Sequence, residues 1–217
     1  MIRLCKGCEP QALAENRDAW TAEYVNWLED REGNEPRRYA DPDIRAALEA
    51  ETHSKCAYCE GRFKHVAYGH VEHKLPKRKY PELVCAWENL TVACPVCNTN
   101  KGDFDDPKCR LLDPHMDDVE TMVVFVGSLA HAEPGSRADK TISRISLNRP
   151  DLLLAREEVL KSLGRILDRL ERFANMRDLV DQLWCDVERL TAAEGQFASA
   201  CRQILEQQLE KRGLARP

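Results

Sequence analysis

Two cysteine pairs frame the middle of the chain: residues 56–59 read Cys-Ala-Tyr-Cys, and residues 94–97 read Cys-Pro-Val-Cys. Each pair places two thiolates on a tight turn, and four thiolates at about 2.3 Å from a zinc ion form a closed tetrahedral structural site. The pairing therefore predicts one zinc site, held by Cys56, Cys59, Cys94 and Cys97. Two unrelated pairs of buried thiols are the alternative. The 34 residues between the pairs leave room for an inserted functional loop.

The rest of the chain indicates a compartment in which thiols stay reduced. It has 217 residues with ten cysteines, and its start, Met1 to Lys6, lacks the apolar region of a secretory signal. The longest apolar run, residues 122–126, is far shorter than the roughly 18 residues of a membrane span. We therefore expect a cytoplasmic protein without membrane association, in which the Cys5 and Cys8 pair and the remaining single cysteines are free thiols.

Charge is distributed unevenly around a net value of -5. Lys and Arg number 7 against 12 Asp and Glu in residues 1–54, 10 against 7 in residues 55–110, and 15 against 18 in residues 111–217. The one positive window also contains six of the ten cysteines. This balance argues against a protein that coats nucleic acid non-specifically, and it favours a local basic site in the middle of the chain.

The segment before this window reads as helical. Trp20, Tyr24 and Trp27 recur at helical spacing in a stretch that stops near Gly33. Asp41-Pro42 predicts the start of a second helix, because it places a cap residue before a proline at the first helical position.

The segment after the window predicts a β-rich run at residues 121–126, a loop at residues 134–136, and helices from Pro150 onward. Thr191-Ala-Ala-Glu194 has the capping-box pattern and predicts the start of a helix that ends near Gly213. We expect a helical hairpin packed on its own core, with a partner-binding helical arm as the alternative. Beyond Pro150 the apolar residues at helical spacing are Leu152, Val159, Leu163, Ile166, Leu170 and Phe173.

Three motifs lie between and just beyond the cysteine pairs. Residues 69–77 read GHVEHKLPK, residues 87–90 read WENL, and residues 97–103 read CNTNKGD. In type, order and spacing they resemble the HNH endonucleases of the ββα-metal superfamily, over about residues 53–104. The resemblance implies a ββα module that hydrolyses phosphodiester bonds with one divalent metal ion and one histidine.

The same resemblance implies roles for four residues. His73 is the general base that takes a proton from the attacking water, a role that an imidazole suits near neutral pH. Glu72 and Asn98 hold Mg²⁺ or Mn²⁺, because carboxylate and amide oxygens suit hard cations. Asn89 orients the loop after His73 through backbone hydrogen bonds. The chain departs from the common pattern twice, since Glu72 replaces an aspartate and Asn98 replaces a histidine.

Adjacent residues on a strand point to opposite sides, so Glu72 and His73 share one site only if the strand ends or bends there. His70 lies two residues before Glu72, on the same strand face. It is a supporting ligand or a structural histidine.

A basic run follows the Glu-His pair. Its side chains, and one more on the helix after the second cysteine pair, are predicted to contact substrate phosphates, which carry no sequence information. These residues are Lys74, Lys77, Arg78, Lys79 and Lys101. A solvated loop is the alternative for the run.

Further segments resemble a narrower group of proteins. The start of the chain and residues 77–83, 112–114 and 141–150 resemble the HNH proteins of bacterial Septu-type anti-phage defence systems. That resemblance implies an ATPase partner encoded beside the nuclease.

Together these patterns predict an α+β fold that is mainly α-helical. We expect an N-terminal helical segment (1–52), a zinc-framed HNH module (53–110), a short β and loop connector (111–149) and a C-terminal helical region (150–217). The expected function is a metal-dependent endonuclease acting on DNA with an ATPase partner, and the helical regions are candidate oligomer contacts. A stand-alone restriction-type or homing-type HNH enzyme and a non-catalytic zinc module are the alternatives. The acidic flanks disfavour a stand-alone enzyme, which needs a larger basic surface.

Overall fold

The computed structural model describes residues 1–63 and 68–215. Residues 64–67, within the predicted HNH module, and residues 216–217 lie outside the described residues. The described chain is mainly helical and contains two small antiparallel sheets, which confirms the predicted α+β class. Within these ranges no helix has the length and apolar character needed to cross a membrane.

Two helices precede the first cysteine pair, as predicted. Helix α1 spans Gln11–Asp30. The residue that follows it, Arg31, adopts the left-handed conformation (φ 56°). Helix α2 spans Pro42–Glu51. The Asp41 side chain caps α2 by accepting a hydrogen bond of 2.9 Å from the Asp43 backbone N–H.

The central module is a two-stranded antiparallel sheet followed by a helix. Strand β1 spans His70–His73 and pairs with strand β2, Leu90–Ala93. Helix α3 spans Pro95–Lys101 and begins directly after β2, because the Cys94 side chain caps it and proline suits its first position. Strand β1 ends at His73. An end or bend at this position is the condition under which Glu72 and His73 can share one site.

The connector differs in part from its prediction. Residues 119–122 form a single helical turn, α4 (Val119–Met122), and strand β3 covers only Val124–Val126. The prediction of a β-rich run from residue 121 is therefore wrong at its first positions. Strand β3 pairs with β4, Leu129–His131, across a turn at Gly127 (φ 57°). Helix α5, Arg137–Ile145, follows the predicted loop and was not predicted; Ser136 caps it.

The end of the chain forms three helices. Helix α6 spans Pro150–Arg172, α7 spans Arg177–Thr191 and α8 spans Ala198–Arg212, with Gly213 (φ 64°) after it as predicted. The predicted helix start at Thr191 is wrong, because Thr191 is the last residue of α7. Its hydroxyl donates a hydrogen bond of 3.0 Å back to the Val187 carbonyl, a bond that threonine commonly makes within helices. The expected hairpin is thus a three-helix unit.

These three helices share a buried cluster separate from the main core, as predicted for a region packed on itself. Its centre is formed by Leu167 on α6, Val187 on α7 and Cys201 on α8, each 1% exposed or less. Removing such side chains from water is the main stabilising contribution of a helix without strong intrinsic propensity.

The loop between α7 and α8 packs against the first cysteine pair. The Lys55 ammonium is buried and donates hydrogen bonds of 2.5 Å to the Ala193 carbonyl and 2.7 Å to the Gly195 carbonyl. Arg62 donates a hydrogen bond of 3.1 Å to the Glu194 carbonyl. The C-terminal helices are therefore joined to the central module through backbone groups of this loop.

Substituting Lys55→Met tests this junction. We expect the free energy of unfolding to fall by about 2 kcal/mol, because a half-buried and a buried carbonyl lose a charged hydrogen-bond donor. Denaturant titration followed by circular dichroism measures the change. Lys161→Met is the matched control, since Lys161 is exposed on α6 and pairs with Glu157 and Glu158 of the same helix. Equal stability of the two variants would contradict the prediction.

Candidate active site

The two cysteine pairs form one cluster. The sulfur atoms of Cys56, Cys59, Cys94 and Cys97 lie within 4.8 Å of one another, and all four residues are buried. Sulfurs bound to one zinc ion lie about 3.8 Å apart at tetrahedral angles, and the Cys59 and Cys94 sulfurs are 3.9 Å apart. The residues fit a structural zinc site, and the alternative of two unrelated thiol pairs is wrong.

A guanidinium group lies against this cluster. Arg149, the residue before α6, directs its nitrogens to the sulfurs of Cys97 at 3.7 Å, Cys59 at 3.8 Å and Cys94 at 4.0 Å. A zinc ion with four thiolates carries a net negative charge, so a cation at this place stabilises the filled site. Burial opposes the charged form of Arg149, but the charges and hydrogen bonds of Cys97 and Cys59 together outweigh it and raise the pKa of Arg149 above its usual range.

The candidate catalytic residues lie around a cavity of 560 Å³. The end of β1 contributes Glu72 and His73, and the first turn of α3 contributes Asn98. The two elements meet here because the cysteine cluster fixes where α3 begins. The structure thus brings the predicted base and both predicted metal ligands to one place.

The His73 ring is buried, and its Nε2 lies 2.9 Å from the Val84 carbonyl oxygen. A carbonyl only accepts hydrogen bonds, so Nε2 carries the hydrogen and Nδ1 keeps a lone pair. Burial lowers the pKa of His73 to about 3, against the opposing effect of the Val84 hydrogen bond. The ring of Tyr39 packs edge-on at 4.6 Å between centroids. The imidazole is therefore neutral and held in one orientation.

Glu72 is also buried, and its Oε1 lies 2.5 Å from the Lys101 ammonium nitrogen without hydrogen-bond geometry. Burial raises the pKa of Glu72 to about 7, although Lys101 opposes that shift. The result is a buried carboxylate whose Oε1 is paired with the Lys101 ammonium. A carboxylate at the edge of this cavity fits a divalent cation, whose preferred ligands are oxygens of this kind.

The Asn98 side chain is half-buried, and its Nδ2 donates a hydrogen bond of 2.9 Å to Nδ1 of the exposed His70. This contact directs the amide nitrogen to the histidine and leaves the amide oxygen for a cation. His70 therefore lies beside a predicted ligand. Its own role as ligand or structural residue stays open.

The Asn89 side chain links two backbone segments of the loop between β1 and β2. Its side-chain oxygen accepts a hydrogen bond of 2.7 Å from the Leu75 N–H, and its amide donates to the Leu75 and Leu83 carbonyls at 3.0 and 3.2 Å. These bonds fix the backbone just after His73 and next to Val84, the acceptor of the His73 ring. This geometry suits the predicted orienting role of Asn89.

Three of the five predicted phosphate contacts are buried or half-buried and make contacts within the protein. Lys74 pairs with Asp113 at 2.7 Å, and Lys77 contacts the Glu35 carboxylate. Lys101 is 3% exposed and donates a hydrogen bond of 2.7 Å to the His73 carbonyl. Lys101 was expected to contact substrate phosphates. In the structure its ammonium instead contacts the Glu72 carboxylate and the His73 carbonyl and is buried.

The other two basic residues, Arg78 and Lys79, are exposed. The Arg78 guanidinium lies 4.0 Å from the Asp103 carboxylate, and Lys79 donates a hydrogen bond of 3.2 Å to the Asp105 carbonyl. Both contacts are at the surface, where ion pairs contribute little. These two side chains therefore remain available to a ligand.

The cavity also has lining residues from the N-terminal segment, which no sequence motif marks. Glu35, Arg37, Tyr39 and Arg45 line it together with the HNH residues. They lie outside the motifs, and only the folding of residues 35–45 across the module brings them there. Nothing in their local sequence signals this placement.

Comparison with known proteins agrees with this geometry. Residues 56–104 match the family model of the HNH endonucleases, so the central module is of the HNH type, as the resemblance of the motifs implied. The chain is also similar to the Septu protein PtuB of Bacillus thuringiensis, with 28% identity over 179 residues. The aligned region covers 80% of this chain and 66% of the length of that relative.

Substituting Arg149→Gln tests the cation beside the cysteine cluster. We expect zinc to be transferred to a chromogenic chelator about tenfold faster, because a positive group in contact with the ligand sulfurs is lost. Absorbance of the chelator complex measures the rate. Arg165→Gln is the matched control, since Arg165 is exposed on α6 and contacts Ser162. Equal rates in the two variants would refute the stabilising role of Arg149.

Proposed function

We propose that the protein is a metal-dependent endonuclease that hydrolyses phosphodiester bonds in DNA. The observation that carries this proposal is the meeting of a neutral histidine, a buried carboxylate and an amide in one cavity: His73, Glu72 and Asn98. The match of residues 56–104 to the HNH endonuclease family supports the reaction class.

Each of these residues has a distinct task in the proposed reaction. Glu72 and Asn98 hold Mg²⁺ or Mn²⁺ through their side-chain oxygens, and such an ion supplies a Lewis acid for the scissile phosphate and the leaving oxygen. His73 takes a proton from the attacking water on Nδ1, because Nε2 is already committed to the Val84 carbonyl. The substrate phosphate beside the ring favours the imidazolium that this transfer produces.

Lys101 and Asn89 support this chemistry without contacting the water. Lys101 lies 2.5 Å from Glu72 and also holds the carbonyl of His73. Its positive charge favours the ionised carboxylate that a cation needs. Asn89 fixes the backbone after His73 and beside Val84, so that the ring keeps its orientation. We assign both to the positioning of the reacting groups.

We further propose that the nuclease acts in the cytoplasm as a subunit of an anti-phage defence complex with an ATPase partner. The similarity to Septu protein PtuB over 80% of the chain supports this setting. The balance of residues 111–217, with 15 Lys and Arg against 18 Asp and Glu, suits a surface that faces protein more than nucleic acid. The three C-terminal helices are the proposed assembly surface.

Substituting His73→Ala tests the proposed base. We expect Mg²⁺-dependent nicking of supercoiled plasmid to fall by about 10²-fold to 10⁴-fold, the usual contribution of general base catalysis. Agarose gels at fixed times, with and without a candidate ATPase partner, measure nicking. His131→Ala is the matched control, since His131 is an exposed histidine on β4 outside the cavity. Equal cleavage by wild type and His73→Ala would overturn the assignment.

The same assay separates the alternatives. Full activity of the isolated protein would favour a stand-alone HNH enzyme over a subunit that needs a partner. A zinc-loaded protein without cleavage in either condition would favour a non-catalytic zinc module. Replacing the plasmid by single-stranded DNA or by RNA tests the substrate.

A further inference from the structure

The catalytic cavity has a wall that comes from outside the HNH module. Residues 35–45, from the connection after α1 to the first turn of α2, contribute this wall, and the side chains of Lys77 and Arg45 hold it in place. Lys77 donates a hydrogen bond of 2.5 Å to the Tyr39 hydroxyl and also contacts Glu35. Arg45 donates a hydrogen bond to the Gly69 carbonyl, directly before β1. The wall is therefore fastened on both sides of the Glu-His pair.

The charges of the cavity do not cancel. Its lining contains three carboxylates, and each lies next to a different cation: Glu35 to Lys77, Glu72 to Lys101 and Asp103 to Arg78. The lining also contains Arg37 and Arg45 from the N-terminal wall, so that its five cations exceed its three carboxylates by two. The wall therefore contributes two of the five positive charges of the cavity, in addition to those of the HNH module.

The two arginines differ in solvent exposure and in their contacts within the protein. Arg37 is exposed, so its guanidinium reaches the cavity from solvent. Arg45 is half-buried, and one of its nitrogens is directed to the Gly69 carbonyl. A guanidinium has five N–H donors, so Arg45 keeps donors for a ligand while this bond orients its plane. Guanidinium groups of this kind bind phosphate oxygens in a bidentate manner.

We propose that Arg37 and Arg45 bind the phosphate backbone of the nucleic acid that enters the catalytic cavity. This inference rests on the proposed nuclease function and extends the binding surface from the HNH module to the N-terminal segment. Phosphate contacts are independent of sequence. The wall therefore holds the strand beside His73 and does not select a base sequence.

Binding without cleavage tests the proposal. The full chain with His73→Ala is titrated into a fluorescein-labelled 30-mer of mixed sequence, as duplex and as single strand, in Mg²⁺ buffer at several salt concentrations. We expect Arg37→Gln in this background to bind about fivefold more weakly near 0.1 M salt and to reduce the salt dependence by the equivalent of about one phosphate contact. Fluorescence anisotropy gives both quantities, and the two probes identify the form of the strand.

Arg38→Gln is the matched control. Arg38 is the next residue, is exposed and pairs with Glu23 at 2.9 Å, and it does not line the cavity. We expect its affinity and salt dependence to equal those of the parent. Arg45→Lys keeps the charge and is expected to bind more tightly than Arg45→Gln, with thermal melting used to compare the fold of both variants.

The outcomes separate this inference from the proposed function. Equal binding by Arg37→Gln and Arg38→Gln, or no binding of either probe by the parent, would overturn the N-terminal phosphate site. Plasmid nicking by the wild type would leave the nuclease assignment intact in that case. Arg37-dependent binding by a protein that cleaves no nucleic acid would support the site and overturn the nuclease function.

Discussion

The cluster of four buried thiols is the constraint on which the candidate site depends. Cys94 and Cys97 lie at the start of α3, and Asn98 follows them directly. Joining this turn to the first cysteine pair fixes the helix start against the sheet, and so places Asn98 near Glu72. A zinc ion leaves two of the four thiolate charges uncompensated, and Arg149 brings a cation to three of the sulfurs. Arg149 therefore links the cysteine cluster to the start of α6.

A buried ion pair then joins the helix to the catalytic strand. Lys101, at the end of α3, contacts Glu72 and the carbonyl of His73, and both of its partners are buried. Withdrawing two charges from water costs several kcal/mol per ion, and an apolar pair of similar size is often at least as stable. Stability alone is a weak reason for such a pair. It is better explained by function, because it keeps a carboxylate in a cavity that would otherwise favour its protonated form.

The sequence predicted those features that rest on local chemistry. The cysteine pairs, the capped start of α2 and the β1, β2, α3 order all follow from residue type and spacing. Thr191 shows the limit of that reasoning, because a threonine followed three residues later by a glutamate occurs at helix ends as well as helix starts, and backbone context decides between them. The burial of Lys101 and the N-terminal wall depend on tertiary packing, which no local pattern encodes.

The charge counted along the sequence is a poor guide to the charge of the cavity, because tertiary packing decides which charged groups pair. The window of residues 55–110 has an excess of three positive charges, yet Lys74 and Lys77 pair with acids from residues 111–217 and 1–54. The window of residues 1–54 sums to -5 and still contributes Arg37 and Arg45 to the cavity. Electrostatic attraction at a site depends on the charges left unpaired within about 8 Å of it, the screening length at physiological salt. The positive character of the cavity is therefore a property of the fold.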